Sequence, residues 1–263
     1  MMSVVIKYLT ALGVDFGIQA VGWIVSIIFK TEKNYDLFGS LTYITVTSIS
    51  LAWSTNSIIQ IVQSNLVFLW ALRLGVFLFI RVIKTGEDRR FEEAKKNAGV
   101  MLVYWTLQGV WVFMTLLPTI ILNTLPPSRF ASRSIGAPEI IGWVLWGVGF
   151  SFEVIADLQK TIFRNSPVND GKFIQSGLWS ISRHPNYFGE ILLWVGHYIT
   201  CASVFRKYEF FSVLSPIFVF LLITKLSGVP LLEKNGKKKW GHLPEYTTYL
   251  EKTPVLIPFL KCC

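Results

Sequence analysis

The sequence predicts an all-α, multi-pass transmembrane helix bundle. Of its 263 residues, 52% are apolar and only 16% are charged, whereas a soluble domain has about 25% charged residues. Apolar runs long enough to cross a bilayer, about 20 residues each, recur along nearly the whole chain. Residues 1–263 are therefore expected to form a single transmembrane domain.

About seven stretches are expected to be membrane spans. The first stretch, 9–29, carries Asp15 and has no cleavage site of small residues, which predicts an uncleaved helix and not a signal peptide. The others lie at 37–55, 64–83, 99–122, 139–157, 187–205 and 210–230.

The distribution of lysine and arginine predicts the orientation. Few bases fall in the connections on the side of the N-terminus. Most of the others, including those of the charged loop 84–97 and Lys237–Lys239, fall on the opposite side. This places the N-terminus on the exoplasmic or lumenal side and the C-terminus in the cytosol. The net charge of +9 is then explained by topology and by attraction to anionic headgroups, so no nucleic-acid partner is predicted.

The three cysteines indicate neither a disulfide framework nor a metal site. Cys201 stands alone, and Cys262 and Cys263 are adjacent at the end of the chain. No pair has the spacing that zinc modules require. No metal is therefore predicted.

The string SRHPNYFGE, at 182–190, is the strongest candidate for a binding site. Pro185 is placed where a helix starts well, and Asn186, Tyr187 and Glu190 follow in its first turns. Arg183 precedes that helix N-terminus, whose unpaired N–H groups favour anions, and Lys172 is near in sequence. The sequence contains no G-x-G-x-x-G or Walker A motif, so a nucleotide would have to be held by the helical bundle itself.

Asp36 opens the second predicted span directly after Tyr35. A carboxyl at this place has two interpretations. It can be an ordinary residue at a helix N-terminus, favoured by the helix dipole, or it can donate a proton to a substrate carbonyl.

Three segments resemble the steroid 5-alpha-reductase-like membrane family, in particular a branch of largely uncharacterised proteins. They are GKFIQSGLWSISRHPNYFGEILLW at 171–194, SGVPLLEK at 227–234 and EYTTYLEKTPVLIPF at 245–259. The wider superfamily also contains sterol reductases and isoprenylcysteine carboxyl methyltransferases, which share an R-H-P-x-Y element. The motif alone therefore leaves more than one activity open.

The resemblance implies a helical bundle whose cytosolic half, within 171–260, holds a nucleotide-like cofactor, while a hydrophobic substrate enters from the bilayer. For the reductases the cofactor is NADPH, and the substrate contains a carbon–carbon double bond conjugated to a carbonyl. By motif, the residues expected to line the cofactor cavity are Arg183, His184, Asn186, Tyr187, Glu190 and Tyr246. Lys172 and Arg183 would neutralise phosphate.

The resemblance implies a catalytic acid at Asp36, by position only. In the steroid reductases an aromatic hydroxyl from the third span helps to polarise the carbonyl, and the corresponding position here is Trp70. Because an indole N–H is a poor proton source, the proton would come from Tyr35, Tyr104 or Asp36, or the substrate is not a 3-oxo steroid.

The leading hypothesis is therefore an oxidoreductase that uses NADPH to reduce a steroid, sterol or lipid enone. An alternative from a second class is an S-adenosylmethionine-dependent methyltransferase of a prenylated or lipid substrate. A third is a non-catalytic membrane protein. The expected location is the endoplasmic reticulum for a eukaryotic protein and the inner membrane for a bacterial one, among membrane lipids.

Overall fold

The computed structural model describes residues 3–86, 91–131 and 133–260. Part of the predicted charged loop, 87–90, and both Cys262 and Cys263 lie outside this range. Within it the chain is helical and contains no β-strand, as the sequence predicts. The α-helices in this range are α1 (Val4–Phe29), α2 (Tyr35–Ala52), α3 (Ile58–Thr85), α4 (Ala98–Thr124), α5 (Ala137–Asn165), α6 (Pro185–Ala202), α7 (Leu214–Leu221), α8 (Val229–Trp240) and α9 (Pro244–Lys252).

Five helical segments of the described chain are long and apolar enough to cross a membrane: Val4–Phe29, Ile58–Lys84, Ala98–Thr124, Ala137–Asn165 and Lys207–Trp240. Helices α2 and α6 coincide with two further predicted spans but have only 18 residues each, and polar side chains interrupt their apolar sequence. The five long helices fit a membrane protein, whereas the count of seven spans and the orientation of the termini stay predictions.

Local sequence explains where several helices begin. Ser57 accepts a hydrogen bond from the Gln60 N–H, and the Gln60 side chain reaches back to the Ser57 N–H, which forms a capping box at the start of α3. The Asn97 side chain accepts from the first N–H groups of α4. Pro185 begins α6, as predicted, because a proline at the first helical position loses no hydrogen bond.

The chain forms two compact units. Unit 1 comprises Met1–Gly136 and Thr200–Ser215, and unit 2 comprises Ala137–Ile199 and Pro216–Cys263. Unit 1 contains α1 to α4. Unit 2 contains α5, most of α6, and both α8 and α9. The predicted site residues from Lys172 to Glu190, together with Tyr246, all belong to unit 2, whereas Tyr35 and Asp36 belong to unit 1.

The interior of unit 1 holds a chain of polar side chains. The Gln19 amide donates to Asp15 at 3.2 Å and to Thr42 at 3.0 Å. The Gln108 amide donates to the Gln19 side-chain oxygen and to the Tyr35 carbonyl, both at 3.1 Å. Hydrogen bonds of this kind join helices in an apolar surrounding, where an unpaired polar group is costly. They tie α1, α2 and α4 together.

Two glycines bring α5 and α6 into backbone contact in unit 2. A β-carbon on Gly149 would lie 2.5 Å from the Leu193 nitrogen and 2.6 Å from the Gly189 oxygen. Small residues permit this close approach, which is a common way to pack helices in membranes. The contact fixes α5 against α6, the helix that begins with the R-H-P-N-Y motif.

We predict that Gly149→Ala destabilises the protein by about 1–3 kcal/mol, because the added methyl group meets backbone atoms that cannot turn away. Gly147→Ala is the matched control, since a β-carbon on Gly147 meets nothing within 4 Å. Unfolding midpoints of both variants in detergent test this. Equal midpoints would show that α5 and α6 are not held by this contact.

Candidate cofactor site

The centre of the candidate site is a carboxylate shared by two residues of the R-H-P-N-Y motif. Glu233 of α8 contacts the Arg183 guanidinium at 3.1 Å with one oxygen. Its other oxygen lies 2.8 Å from the His184 Nε2. The side chains are 13% exposed for Arg183, 6% for His184 and 20% for Glu233. We call these three residues the ionic triad.

The net charge of the ionic triad is close to zero. Burial lowers the pKa of His184 below its usual range, and the charges of Lys160 and Arg183 act in the same direction, while the hydrogen bond and the charge of Glu233 oppose this shift. His184 is therefore mostly neutral near pH 7, and the positive charge of Arg183 offsets the negative charge of Glu233. The imidazole also stacks on the Tyr187 ring, with centroids 5.7 Å apart and planes 18° apart.

Three polar atoms, two within the ionic triad and one beside it, have no hydrogen-bond partner among the described residues. They are the Arg183 Nε, the His184 Nδ1 and the Asn186 Oδ1, and each is buried. The Asn186 amide nitrogen is held by the Asp157 carboxylate at 3.1 Å, which fixes the direction of the Asn186 oxygen. Since buried polar atoms are nearly always paired in native proteins, these donor and acceptor atoms fit a bound polar ligand.

An aromatic cluster of Phe173, Trp240, Tyr246 and Tyr249 lies near the ionic triad. The Tyr246 ring contacts those of Phe173, Trp240 and Tyr249, with centroid distances of 5.0, 5.8 and 6.4 Å. Burial raises the pKa of Tyr246, the charge of Glu233 raises it further, and Arg183 opposes the shift. Burial likewise raises the pKa of Tyr249. Both phenols therefore stay neutral near pH 7; the Tyr246 ring is buried, whereas Tyr249 is half-buried.

The structure brings most of the predicted cofactor residues into one unit. Arg183 and His184 belong to the ionic triad, Tyr187 stacks on His184, and the charges of Glu233 and Arg183 act on Tyr246. Glu190 is half-buried, three residues after Tyr187 on α6. Lys172, however, is exposed. Its predicted role, to neutralise phosphate together with Arg183, stays a prediction.

Sequence reasoning assigned no role to Glu233. The residue lies within the SGVPLLEK segment, but 50 positions separate it from Arg183 in the chain. The signal that could have found it is that Glu233 is the single acid of α8, whose later residues include Lys237, Lys238 and Lys239. An acid that directly follows the apolar residues 229–232 needs a charged partner, which a motif arginine can supply.

The predicted catalytic residues Tyr35 and Asp36 lie at the start of α2 in unit 1. The Tyr35 hydroxyl donates to the Tyr104 carbonyl at 2.8 Å, and its ring packs against Phe91 and Trp105. An Asp36 oxygen lies 3.8 Å from the Arg81 guanidinium. The proton-donor role of Tyr35 and Asp36 stays a prediction.

The ionic triad predicts how stability depends on pH. Because folding lowers the pKa of His184, the unfolded chain binds more protons as the pH falls through about 6.5, and stability decreases. One histidine contributes at most about 1.4 kcal/mol per pH unit. We expect His184→Gln to flatten the pH dependence of the unfolding midpoint between pH 7 and 5. His242→Gln is the control on an exposed histidine; if both variants behave alike, His184 is not the group responsible.

Comparisons with known proteins place the chain in a family. No solved structure matches it. A curated relative, the probable O-methyltransferase ustE of Ustilaginoidea virens, is 30% identical over 94 residues, which cover 32% of this chain and 33% of that protein. The matched segment thus spans about a third of the relative's length. The family model described as a protein of unknown function, DUF1295, which falls within the steroid 5-alpha-reductase-like superfamily, matches residues 22–253. The chain therefore belongs to the DUF1295 family.

Proposed function

We propose that this protein binds S-adenosylmethionine and methylates an oxygen atom of a hydrophobic substrate that reaches it from the bilayer. The observation that carries the proposal is the neutral ionic triad with its three unpartnered polar atoms. When bound, S-adenosylmethionine would supply a methyl group on a positively charged sulfur; its transfer would break the S–CH3 bond, form an O–CH3 bond on the substrate and leave the neutral thioether S-adenosylhomocysteine.

The charges of the ionic triad match the amino-acid end of this cofactor. That end is a zwitterion, with one carboxylate and one ammonium group. Arg183 would hold the carboxylate through its Nε and its guanidinium fork, since arginine binds carboxylates in a bidentate manner. Glu233 and the Asn186 Oδ1 would accept hydrogen bonds from the ammonium group. The unpartnered atoms are thus of the types that this ligand requires.

The aromatic cluster of Phe173, Trp240, Tyr246 and Tyr249 would hold the adenine by stacking, a contribution of about 1–3 kcal/mol per base. Neutral phenols suit this role because they add no charge beside the sulfonium. The printed name of the relative, a probable O-methyltransferase, and the R-H-P-x-Y element shared with isoprenylcysteine carboxyl methyltransferases point to the same chemistry. Together they favour a methyltransferase.

The second candidate function is reduction of a steroid, sterol or lipid enone with NADPH. It is favoured by Arg183 beside a helix N-terminus and by the exposed bases of α8, Lys237–Lys239, which suit phosphate groups. In this case Asp36 or Tyr35 would donate the proton, and Lys172 would add a further cation. The dinucleotide carries several negative charges, however, so its phosphates would have to compete with Glu233 for Arg183.

We expect calorimetry on the purified protein to find saturable binding of S-adenosylmethionine that is lost in Arg183→Ala, because the variant lacks the only cationic group of the ionic triad. Arg183→Lys serves as a folded control that retains the charge. Binding of NADPH alone would replace the proposal with the reductase. If a folded sample bound neither cofactor, the proposal would give way to a non-catalytic role.

A second prediction isolates Glu233. We expect Glu233→Gln to weaken binding of S-adenosylhomocysteine about tenfold to a hundredfold, since a hydrogen bond to a charged group is worth about 1.5–3 kcal/mol. Binding of 5′-methylthioadenosine, which lacks the amino-acid end, should be unchanged. Glu245→Gln, at an exposed position of α9, is the matched control. An unaltered affinity for S-adenosylhomocysteine would contradict the assignment of Glu233 to the ammonium group.

A further inference from the structure

The C-terminal segment is bonded directly to the R-H-P-N-Y motif. The Arg183 N–H donates to the Pro254 carbonyl at 2.8 Å. The Ser182 hydroxyl donates to the Leu256 carbonyl at 2.7 Å, and the Phe259 N–H donates to the Ile181 carbonyl at 3.3 Å. The two segments run in opposite directions, so residues 254–259 hold the backbone that precedes α6.

The outer side of the same segment is apolar and exposed. Val255 is 40% exposed, Ile257 45%, Leu260 56% and Phe259 81%. We call these four residues the tail strip. Two of the segment's carbonyls accept hydrogen bonds from the motif, while these side chains are exposed. Exposed apolar patches of this kind mark surfaces for a membrane or a protein partner.

Basic residues of unit 2 indicate that the tail strip contacts a membrane surface. Lys252 precedes the strip at the end of α9, and α8 of the same unit carries Lys234 and Lys237–Lys239, all of them exposed. Apolar side chains flanked by lysines are the pattern of segments that lie in the interface of an anionic bilayer, where the bases meet the headgroups. The long apolar helices of the chain would bring such a surface within reach of the tail strip.

We propose that the tail strip inserts into the boundary between headgroups and acyl chains of an anionic membrane leaflet, and that this contact holds the backbone of residues 181–183 in place. The membrane would thereby act as a positioning element for Arg183. This inference does not depend on which cofactor the site binds.

Insertion is tested by a fluorescent label in nanodiscs that contain phosphatidylglycerol. The label is bimane at Leu260→Cys, in a chain with Cys262 and Cys263 replaced by serine, while the buried Cys201 is left in place. We expect quenching by brominated lipids and protection from iodide. The control label at exposed Thr248→Cys should show the reverse. Equal quenching of the two positions by iodide would overturn the proposal.

The coupling to Arg183 is tested by hydrogen exchange. In the variant Val255→Ser, Ile257→Ser and Phe259→Ser, we expect the Arg183 amide to exchange at least about tenfold faster than in the wild-type chain in the same nanodiscs, as local opening becomes easier. Val168→Ser, which removes a side chain that is 76% exposed elsewhere in unit 2, should leave that rate unchanged. We also expect slower exchange of wild-type Arg183 in anionic than in zwitterionic nanodiscs. An unchanged rate in the triple variant, or equal rates in the two lipids, would contradict the proposal.

Discussion

The candidate site depends on one half-buried carboxylate, that of Glu233, held between Arg183 and His184. Removing it would leave a guanidinium that is only 13% exposed without a counter-charge, which is strongly unfavourable in a buried setting. Both oxygens are used, one on each partner. The carboxylate therefore fixes the directions of both side chains and joins α8 to the residues that start α6.

The contact between Arg183 and Glu233 determines the net charge of the candidate site. A buried arginine with no acidic partner would favour a polyanion. With Glu233 in contact and His184 mostly neutral, the site instead has both a cation and an anion at nearly zero net charge, beside two nitrogen atoms and one oxygen atom that lack partners among the described residues. A ligand with one carboxylate and one ammonium group can pair with these atoms and leave the net charge of the site near zero. Phosphates would add negative charge without a matching cation.

Much of the fold could be predicted because apolar run length and helix-start signals act locally. The apolar runs predicted the positions of α1 to α6, and Pro185 marks the start of α6. The stretch 210–230 was harder, because the helix is interrupted there. A π-helical turn at Leu222–Leu226 leads to Gly228, with Pro230 just beyond, and hydropathy averages over such a break.

The site was predictable only in part, since motif residues are local and their partners are not. The cofactor-lining roles of Asn186 and Tyr187 stay predictions, whereas the pairing of Arg183 with Glu233 joins residues 50 positions apart and adds a carboxylate where the phosphate hypothesis named only cations. Phosphate binding by Arg183 and Lys172 stays a prediction: Arg183 is paired with Glu233, and Lys172 is exposed.

The central claim is that the ionic triad binds the zwitterionic end of a cofactor. Its most direct test is an experimental structure of the protein in lipid nanodiscs with S-adenosylhomocysteine. Our account predicts ligand density with its carboxylate on Arg183 and its ammonium group between Glu233 and Asn186. Density elsewhere, with the Arg183–Glu233 contact and its neighbouring atoms unchanged, would contradict it.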